Sequence, residues 1–357
     1  MMRLGEFNPA DFKVLILSQI EALGAVEAGM IRSFVEGGGT VIADVRPGVY
    51  DGHCKPAGQG MLHDVFGIRR TGDDAARIER ARIDGSVGTY PVGVSFDGAR
   101  VDPAVQVMDG NPLGHAGEVP ICIVRTVGKG RAILLNFAMD SYPILNTSNI
   151  PAGSDDFVRA LLRASGVEPQ VTLTGAEGDL VRDTEIIRWS GPGVEFVTLF
   201  GAMSLRSRKM MYISKDETVE LALPAKKHVY DLREGIYRGL VDRFPAQKLG
   251  NRATWLVISD LELGPPLVKP QGAPWKRGTR VTVDFSFPES DATHAVKLQV
   301  LVPDGTPAEW LDQVLLVPAG GTRATLPIAY NDPAGEWTLR ASDLYTGEAT
   351  DTRLNVE

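Results

Sequence analysis

The sequence contains few cysteines and no pattern that predicts a bound metal or cofactor. Only Cys54 and Cys122 occur among its 357 residues. Two cysteines are too few for a disulfide scaffold, and they lack the paired spacing of a zinc site. We therefore expect no disulfide framework, no metal centre and no cofactor.

Basic charge and long apolar runs are also lacking. The chain has 37 Lys and Arg against 45 Asp and Glu, a formal net charge of -8. Nucleic-acid binding needs clustered Lys and Arg to displace counterions from phosphates, so we expect no nucleic-acid partner. No run of about 18 apolar residues is present, and residues 1–6 lack the apolar core of a signal peptide. We expect no membrane association and, if the chain is complete, a cytoplasmic location.

The length predicts several domains, and the first has an α/β pattern. Residues 12–17 form an apolar run typical of a covered strand, residues 25–35 carry apolar side chains at helical spacing, and residues 40–45 are again apolar. This order predicts a β-α-β unit. Further along, residues 75–107 predict strands with a turn at Asp97-Gly98, residues 120–125 and 131–137 predict a hairpin, and residues 155–165 predict a closing helix. We expect a flavodoxin-like α/β domain over residues 1–168.

The rest of the chain has an all-β pattern. Short strands are predicted at residues 185–189, 194–199, 217–223 and 254–258, and a proline-rich segment follows. We place a domain boundary near Lys269, with an all-β module over residues 169–268 that we expect to be the first of two β-sandwich modules. Residues 269–357 alternate at the spacing of a β-sandwich, for which we expect an immunoglobulin-like fold.

Two phrases in the first domain resemble a known family. Residues 35–43 read VEGGGTVIA and residues 127–137 read VGKGRAILLNF. Together with residues 12–17 and 28–34, they resemble the trimerisation domain of family 42 β-galactosidases, over roughly residues 10–165. The resemblance implies a class I glutamine-amidotransferase fold and a role in oligomerisation. The remainder, including residues 228–233 and 326–339, resembles β-rich tails of large bacterial proteins that carry that domain.

The family resemblance does not extend to the catalytic barrel of those enzymes. In them, a (β/α)8 barrel upstream carries the acid/base and nucleophile glutamates. Such a barrel needs roughly 250 residues, and only about ten precede the first predicted strand here. The glutamates therefore correspond to no position of this sequence. The resemblance implies a homo-oligomer or a separate catalytic subunit as partner.

Amidotransferase chemistry is also not expected. Active enzymes of that fold place a cysteine on a tight turn after a strand. The corresponding residues here are 44–48, which read DVRPG and contain no cysteine. Cys54 lies several residues too late.

Polar residues nevertheless cluster after the second predicted strand, where open α/β sheets usually bind ligands. They are Asp44, Arg46, Asp51 and His53, with His63 and Asp64 just beyond. A hydrolytic or metal site is one interpretation. The other is structural, with Asp44 and Arg46 as a buried pair and Asp64 complementing a helix start.

Saccharide contacts are predicted at a few aromatic and polar residues. Asp140 and Tyr142 follow the strand that ends at Phe137, so they approach the same sheet edge. We expect Trp275 in the proline-rich segment to be exposed for ring stacking and Trp337 to be core. Turn residues Asp304, Asn331 and Asp332 could bind calcium, but turns favour Asp and Asn sterically.

These observations favour a non-catalytic accessory or oligomerisation portion of a carbohydrate-active protein. The alternative is a hydrolase that uses Asp44, Arg46 and His53. A further hypothesis is that the chain is a fragment, because flavodoxin-like sheets usually have another strand before the one at residue 12.

Overall fold

The computed structural model describes residues 8–71, 77–138, 154–179, 181, 184–201, 203–206, 209–212, 215–250 and 252–357. The chain forms two compact units, Met1–Pro169 and Gln170–Glu357. Within the described residues, no helix combines the length and the apolarity that crossing a lipid bilayer requires.

In its described residues, the first unit combines one large sheet and a two-stranded sheet with three α-helices. Its elements are β1 (Val14–Leu17), α1 (Ala25–Glu36), β2 (Thr40–Ala43), α2 (His63–Phe66), β3 (Ile68–Arg70), β4 (Arg77–Val87), β5 (Tyr90–Val101), β6 (Val105–Val107), β7 (Asn111–Ala116), β8 (Val119–Val127), β9 (Gly130–Leu134) and α3 (Ser154–Ala164). The two-stranded sheet pairs β3 with β6.

The large sheet is mixed. Its seven strands run in the order β1-β2-β9-β8-β7-β4-β5, and only β1, β2 and β9 are parallel to one another. The predicted β-α-β unit is confirmed, and α1 buries Ile31, Phe34 and Val35 in a core shared with β2. The other four strands are antiparallel neighbours. The structure therefore does not confirm a flavodoxin-like domain, whose sheet would be mostly parallel.

Two local predictions for this sheet have different outcomes. The hairpin of β8 and β9 is confirmed, with Val127 opposite Gly130. The turn at Asp97-Gly98 is wrong, because β5 continues through both residues. They form a bulge, since Phe96 faces Ala81 while Ala99 faces Glu79. The chain reverses instead at Gly88, whose φ of +62° suits glycine.

The second unit begins with a six-stranded antiparallel sheet. Its elements are β10 (Thr172–Thr174), β11 (Thr184–Gly191), β12 (Val194–Gly201), β13 (Met203–Arg206), β14 (Lys209–Tyr212), β15 (Glu217–Asp231), β16 (Ile236–Lys248) and β17 (Ala253–Ser259). The order is β10-β15-β17-β12-β11 with β16 beside β15, while β13 and β14 form a separate hairpin. One face of the sheet buries aliphatic side chains such as Val197, Leu221 and Leu256.

The last seven strands form a β-sandwich, as the sequence predicts. They are β18 (Leu267–Pro270), β19 (Thr279–Ser286), β20 (His294–Leu301), β21 (Gln313–Val317), β22 (Thr322–Ile328), β23 (Gly335–Asp343) and β24 (Ala349–Val356). The sheets β18-β19-β22 and β21-β20-β23-β24 share one hydrophobic core. Lys269, near which we place a domain boundary, falls inside β18.

Candidate functional site

Hydrogen bonds and an ion pair connect the polar loop after β2 to the segment that follows β1. Asp44 is only 2% exposed, and its carboxylate accepts a hydrogen bond from the Gln19 N–H at 2.8 Å. The Arg46 guanidinium lies 3.7 Å from the Glu21 carboxylate. The N–H groups of residues 48 and 50 donate to the carbonyls of residues 20 and 21. Asp44 and Arg46 therefore help to fix the path of this loop.

Asp51 shapes the tip of the same loop. Its carboxylate accepts the N–H groups of His53 and Lys55, both at 2.9 Å. These bonds, with the one from Lys55 first, lower the pKa of Asp51. A lowered pKa suits a permanently charged turn residue and is the opposite of what a general acid needs. Cys54, at φ +59° in this turn, is an exposed free thiol.

A buried polar cluster lies close to this loop, and sequence reasoning missed most of it. His63 is 5% exposed, and neither ring nitrogen has a hydrogen-bond partner. Burial, and secondly the charge of Arg70, lower its pKa to about 4. Arg70 pairs with the fully buried Asp102 at 2.7 Å, and the Asn136 amide donates to the Asp102 carbonyl. No short-range sequence pattern connects residues 63, 70, 102 and 136.

The predicted saccharide residues have mixed outcomes. Asp140 and Tyr142 lie outside the described residues. The expectation that Trp275 is exposed is wrong: it is 1% exposed and packs in the core of the sandwich. Its indole N–H donates to the Gln271 carbonyl at 3.0 Å, which satisfies the polar atom of an otherwise buried ring. Trp337 is core, as predicted.

Two other tryptophans form an exposed pair on the six-stranded sheet. Trp189 on β11 and Trp255 on β17 are 45% and 40% exposed. Their rings stack with centroids 5.4 Å apart and planes inclined by 10°. Strand pairing sets Trp189 opposite Phe196 and Trp255 opposite Thr198, two alternate residues of β12, so both indoles occupy one face of the sheet. We call Trp189 and Trp255 the tryptophan pair.

The same face carries further aromatic side chains. Tyr230 and Tyr237 stack at 4.8 Å, and the Tyr237 hydroxyl bonds to the His228 ring at 2.5 Å. Tyr237 is 40% exposed, whereas Tyr230 is buried, and burial raises the pKa of Tyr230 to about 12. Phe196, between the two groups, meets Tyr345 edge-on. This face is therefore partly covered within the second unit and partly open.

The last sandwich contains a chain of hydrogen bonds from a serine through a histidine to an aspartate. Ser290 Oγ lies 2.9 Å from His294 Nε2, and His294 Nδ1 lies 3.1 Å from the Asp343 carboxylate. This order matches that of a nucleophilic triad. However, His294 is fully buried with Phe287 stacked on its ring at 3.6 Å, and Ser290 Oγ also accepts the Ala292 N–H. These hydrogen bonds therefore join the turn before β20 to β23.

The turn aspartates of the sandwich bond to their own backbone. Asp304 accepts the Thr306 N–H at 2.9 Å, and Asp332 accepts the Ala329 N–H at 2.7 Å. Both contacts are typical of turn residues. Across the part of the chain that the structure describes, no group of three or more His, Cys, Asp or Glu is placed to hold a metal ion.

Comparison with known proteins gives a likeness in structure only. No family model matches the sequence, and no curated protein matches it. A β-galactosidase from Bacillus circulans sp. alkalophilus is similar with a TM-score of 0.51 at 15% identity, over 70% of this chain and 33% of that one. The β-galactosidase from Rahnella sp. R3 is similar with a TM-score of 0.46 at 18% identity, over 68% and 32%. A catalytic mutant of a G. stearothermophilus family 42 β-galactosidase gives 0.46 at 14% identity, over 70% and 32%.

The chain thus spans about a third of the length of the β-galactosidases it matches. Its fold is similar to that of a part of a β-galactosidase, and the resemblance predicted from residues 35–43 and 127–137 is confirmed at the level of the fold.

Proposed function

We propose that this chain is a non-catalytic accessory portion of a glycoside-hydrolase-related protein, which supports assembly and contacts saccharides. The observation that carries the proposal is the fold likeness, which covers most of this chain and only a third of the β-galactosidase. The polar loop adds support, because the carboxylates of Asp44 and Asp51 accept backbone N–H groups that fix the loop.

Two finer assignments of fold belong to this proposal. The first unit would be a divergent glutamine-amidotransferase-like trimerisation domain, in which β1, α1, β2 and β9 keep the parallel part of the sheet. The last sandwich would be immunoglobulin-like. Its first, second and fifth strands form one sheet, and its fourth, third, sixth and seventh form the other, an arrangement close to that of immunoglobulin relatives.

For oligomerisation, the supporting feature is the edge of the large sheet. β1 is the terminal strand in the described sheet, and Ile16 on it is 56% exposed. Phe12 and Ile20, on either side of β1, are 38% and 36% exposed. An edge strand with exposed apolar side chains favours pairing with another chain. We propose that β1 contributes to contact between copies.

Light scattering across a concentration series tests this assembly role. We expect the wild type to form a stable oligomer and Ile16→Lys to dissociate it, because a charge on an edge strand opposes pairing. Leu316→Lys is the matched control, since Leu316 is 68% exposed on β21, the edge strand of another sheet. A monomeric wild type would contradict the assembly role, and an oligomer that both variants retain would contradict the use of β1.

A hydrolase remains the second candidate function. One observation favours it: Arg46 has φ +61° directly after β2, and backbone strain of this kind collects at functional sites. Turnover of a chromogenic ester or glycoside that is lost in Asp44→Asn, Arg46→Ala and His53→Ala would support it. Unchanged turnover in all three variants would exclude this loop as the site.

A further inference from the structure

The tryptophan pair is an unusual surface feature. Indole rings are large and mostly apolar, so their exposure on a folded domain often marks a binding surface. Trp275 and Trp337 are buried in the sandwich core, whereas Trp189, Trp255 and Trp310 are 45%, 40% and 67% exposed. Of these three, Trp189 and Trp255 stack on each other.

The pair is held by regular sheet structure. β12 lies between β11 and β17, and it pairs with each of them over at least seven residues. Thr198 pairs with Trp255 on the same face of the sheet and is 2% exposed. Because each ring is fixed by its strand and by its neighbour, a ligand would lose little of its binding free energy to ordering these side chains.

The charged side chains next to the tryptophan pair form an ion pair on the other face of the sheet. Arg188, adjacent to Trp189, forms an ion pair with Glu195, and strand alternation sets both side chains on the opposite face of the sheet. The chain as a whole carries a net charge of -8, which disfavours a polyanionic ligand. An uncharged ligand with a flat apolar face fits these conditions.

We propose that Trp189 and Trp255 form a binding site for neutral saccharides, in which the C–H face of a pyranose ring packs on the exposed indoles. The equatorial hydroxyls project from the edge of the pyranose ring, so they stay solvated while the apolar face is buried. This inference rests on the proposed function and specifies it: the ligand is a neutral oligosaccharide, and the site lies on the six-stranded sheet.

The test is affinity electrophoresis of the full chain in gels that contain β-1,4-galactan, with titration calorimetry against lactose and cellohexaose. We expect the wild type to bind at least one of these probes. Trp189→Ala and Trp255→Ala should each weaken binding about tenfold or more, and the double variant should abolish it. Trp255→Phe, which keeps a flat ring, should retain most of the affinity. Trp310→Ala removes an exposed tryptophan from the sandwich and should change affinity less than about twofold.

Several outcomes would overturn this site. They are no binding to any of the three probes, equal binding by the double variant, or equal loss in Trp310→Ala. A change in oligomer mass in the double variant, without saccharide binding by the wild type, would show instead that the pair joins copies of the chain. Failure of this inference differs from failure of the non-catalytic assembly role. An inactive oligomer that binds no saccharide contradicts the site and the proposed saccharide contact but keeps the assembly role, whereas glycoside turnover by the chain contradicts the non-catalytic role whatever the binding result.

Discussion

His63 shows how burial controls the charge of a side chain in this protein. The ring is enclosed by the chain around Gly60, where an added Cβ would lie 2.3 Å from His63 Nε2. Neither nitrogen has a partner, so an imidazolium here would be buried without a hydrogen bond. Arg70 opposes protonation further, while Asp102 and Asp64 favour it less strongly. The neutral ring is therefore the form that the fold accepts.

This environment predicts acid sensitivity. The pKa of His63 falls from 6.5 to about 4 on folding, so the unfolded chain takes up the proton first. Its contribution to stability is complete above pH 6.5 and is lost as the pH falls towards 4, by about 2–3 kcal/mol. The free energy of unfolding in urea, measured at pH 7.5 and at pH 4.5, gives this loss of stability. His63→Leu should lose less stability than the wild type over this interval, and an equal loss would exclude His63 as a source of the acid sensitivity.

The two thiols should differ strongly in reactivity. Cys122 is fully buried, and burial raises the pKa of its thiol to about 12, whereas Cys54 is exposed. Because the thiolate is the reactive form, a thiol reagent should modify one cysteine per native chain and two after denaturation. Cys54→Ser should abolish the native reaction. Modification of native Cys122 at a comparable rate would contradict the buried position.

For single residues, the sequence predicts burial where the neighbours in the chain determine it. It does not predict contacts between residues that only the tertiary fold brings together. Trp337 alternates with apolar neighbours in a strand, so its burial is predictable. Trp275 follows prolines, which suggest exposure, yet it fills the core of the sandwich. The pairing of Arg70 with Asp102 joins residues on different strands and loops, so no spacing rule could find it.

The two sequence segments that carry the family resemblance, residues 35–43 and 127–137, pack against each other. The Lys129 N–H donates to the Glu36 carbonyl, and the Arg131 N–H donates to the Gly39 carbonyl. A Cβ on Gly130 would lie 2.1 Å from the Val35 carbonyl oxygen and 2.2 Å from that of Gly39. A Cβ on Gly128 would likewise lie 2.7 Å from the Glu36 carbonyl oxygen. Gly128 and Gly130 are thus explained by close approach of two backbones, which identifies residues 127–137 as a structural signature of this sheet.

A glycine substitution tests this packing. Gly130→Ala should lower the free energy of unfolding by about 2–3 kcal/mol, because rigid backbone on both sides must move. Gly29→Ala is the control: Gly29 lies in α1, an added Cβ meets no atom within 4 Å, and alanine should raise stability by about 0.5–1 kcal/mol. The two midpoints of chemical unfolding should shift in opposite directions. A Gly130→Ala protein as stable as the wild type would contradict the close contact.

The elements also show where periodicity is sufficient for prediction and where it fails. The runs that form β1, α1 and β2 have clear periods, and each element is found within about two residues of its prediction. The run that forms β4 and β5 is mixed in polarity, and Asp97-Gly98 resembles a turn signal there. A long antiparallel pair of strands can accommodate Asp97-Gly98 as a bulge. The sequence alone therefore could not distinguish a bulge from a turn at these residues.

The whole chain divides into two compact units after Pro169, while the domain boundary near Lys269 remains a prediction. The sandwich contacts the six-stranded sheet within the second unit, where Ala292 and Tyr345 pack with Tyr230, Val257 and Phe196. We therefore expect a fragment of residues 170–357 to unfold in one calorimetric transition. Two separate transitions would show that residues 170–268 and 269–357 are independent domains.

We propose that this chain does not hydrolyse glycosides by itself. The most direct measurement is the hydrolysis of nitrophenyl β-galactoside and related nitrophenyl glycosides by the purified full chain at high protein concentration. We expect release of nitrophenol no faster than in buffer. Saturable turnover that follows the protein through every purification step would contradict it, and the chain would then be an enzyme.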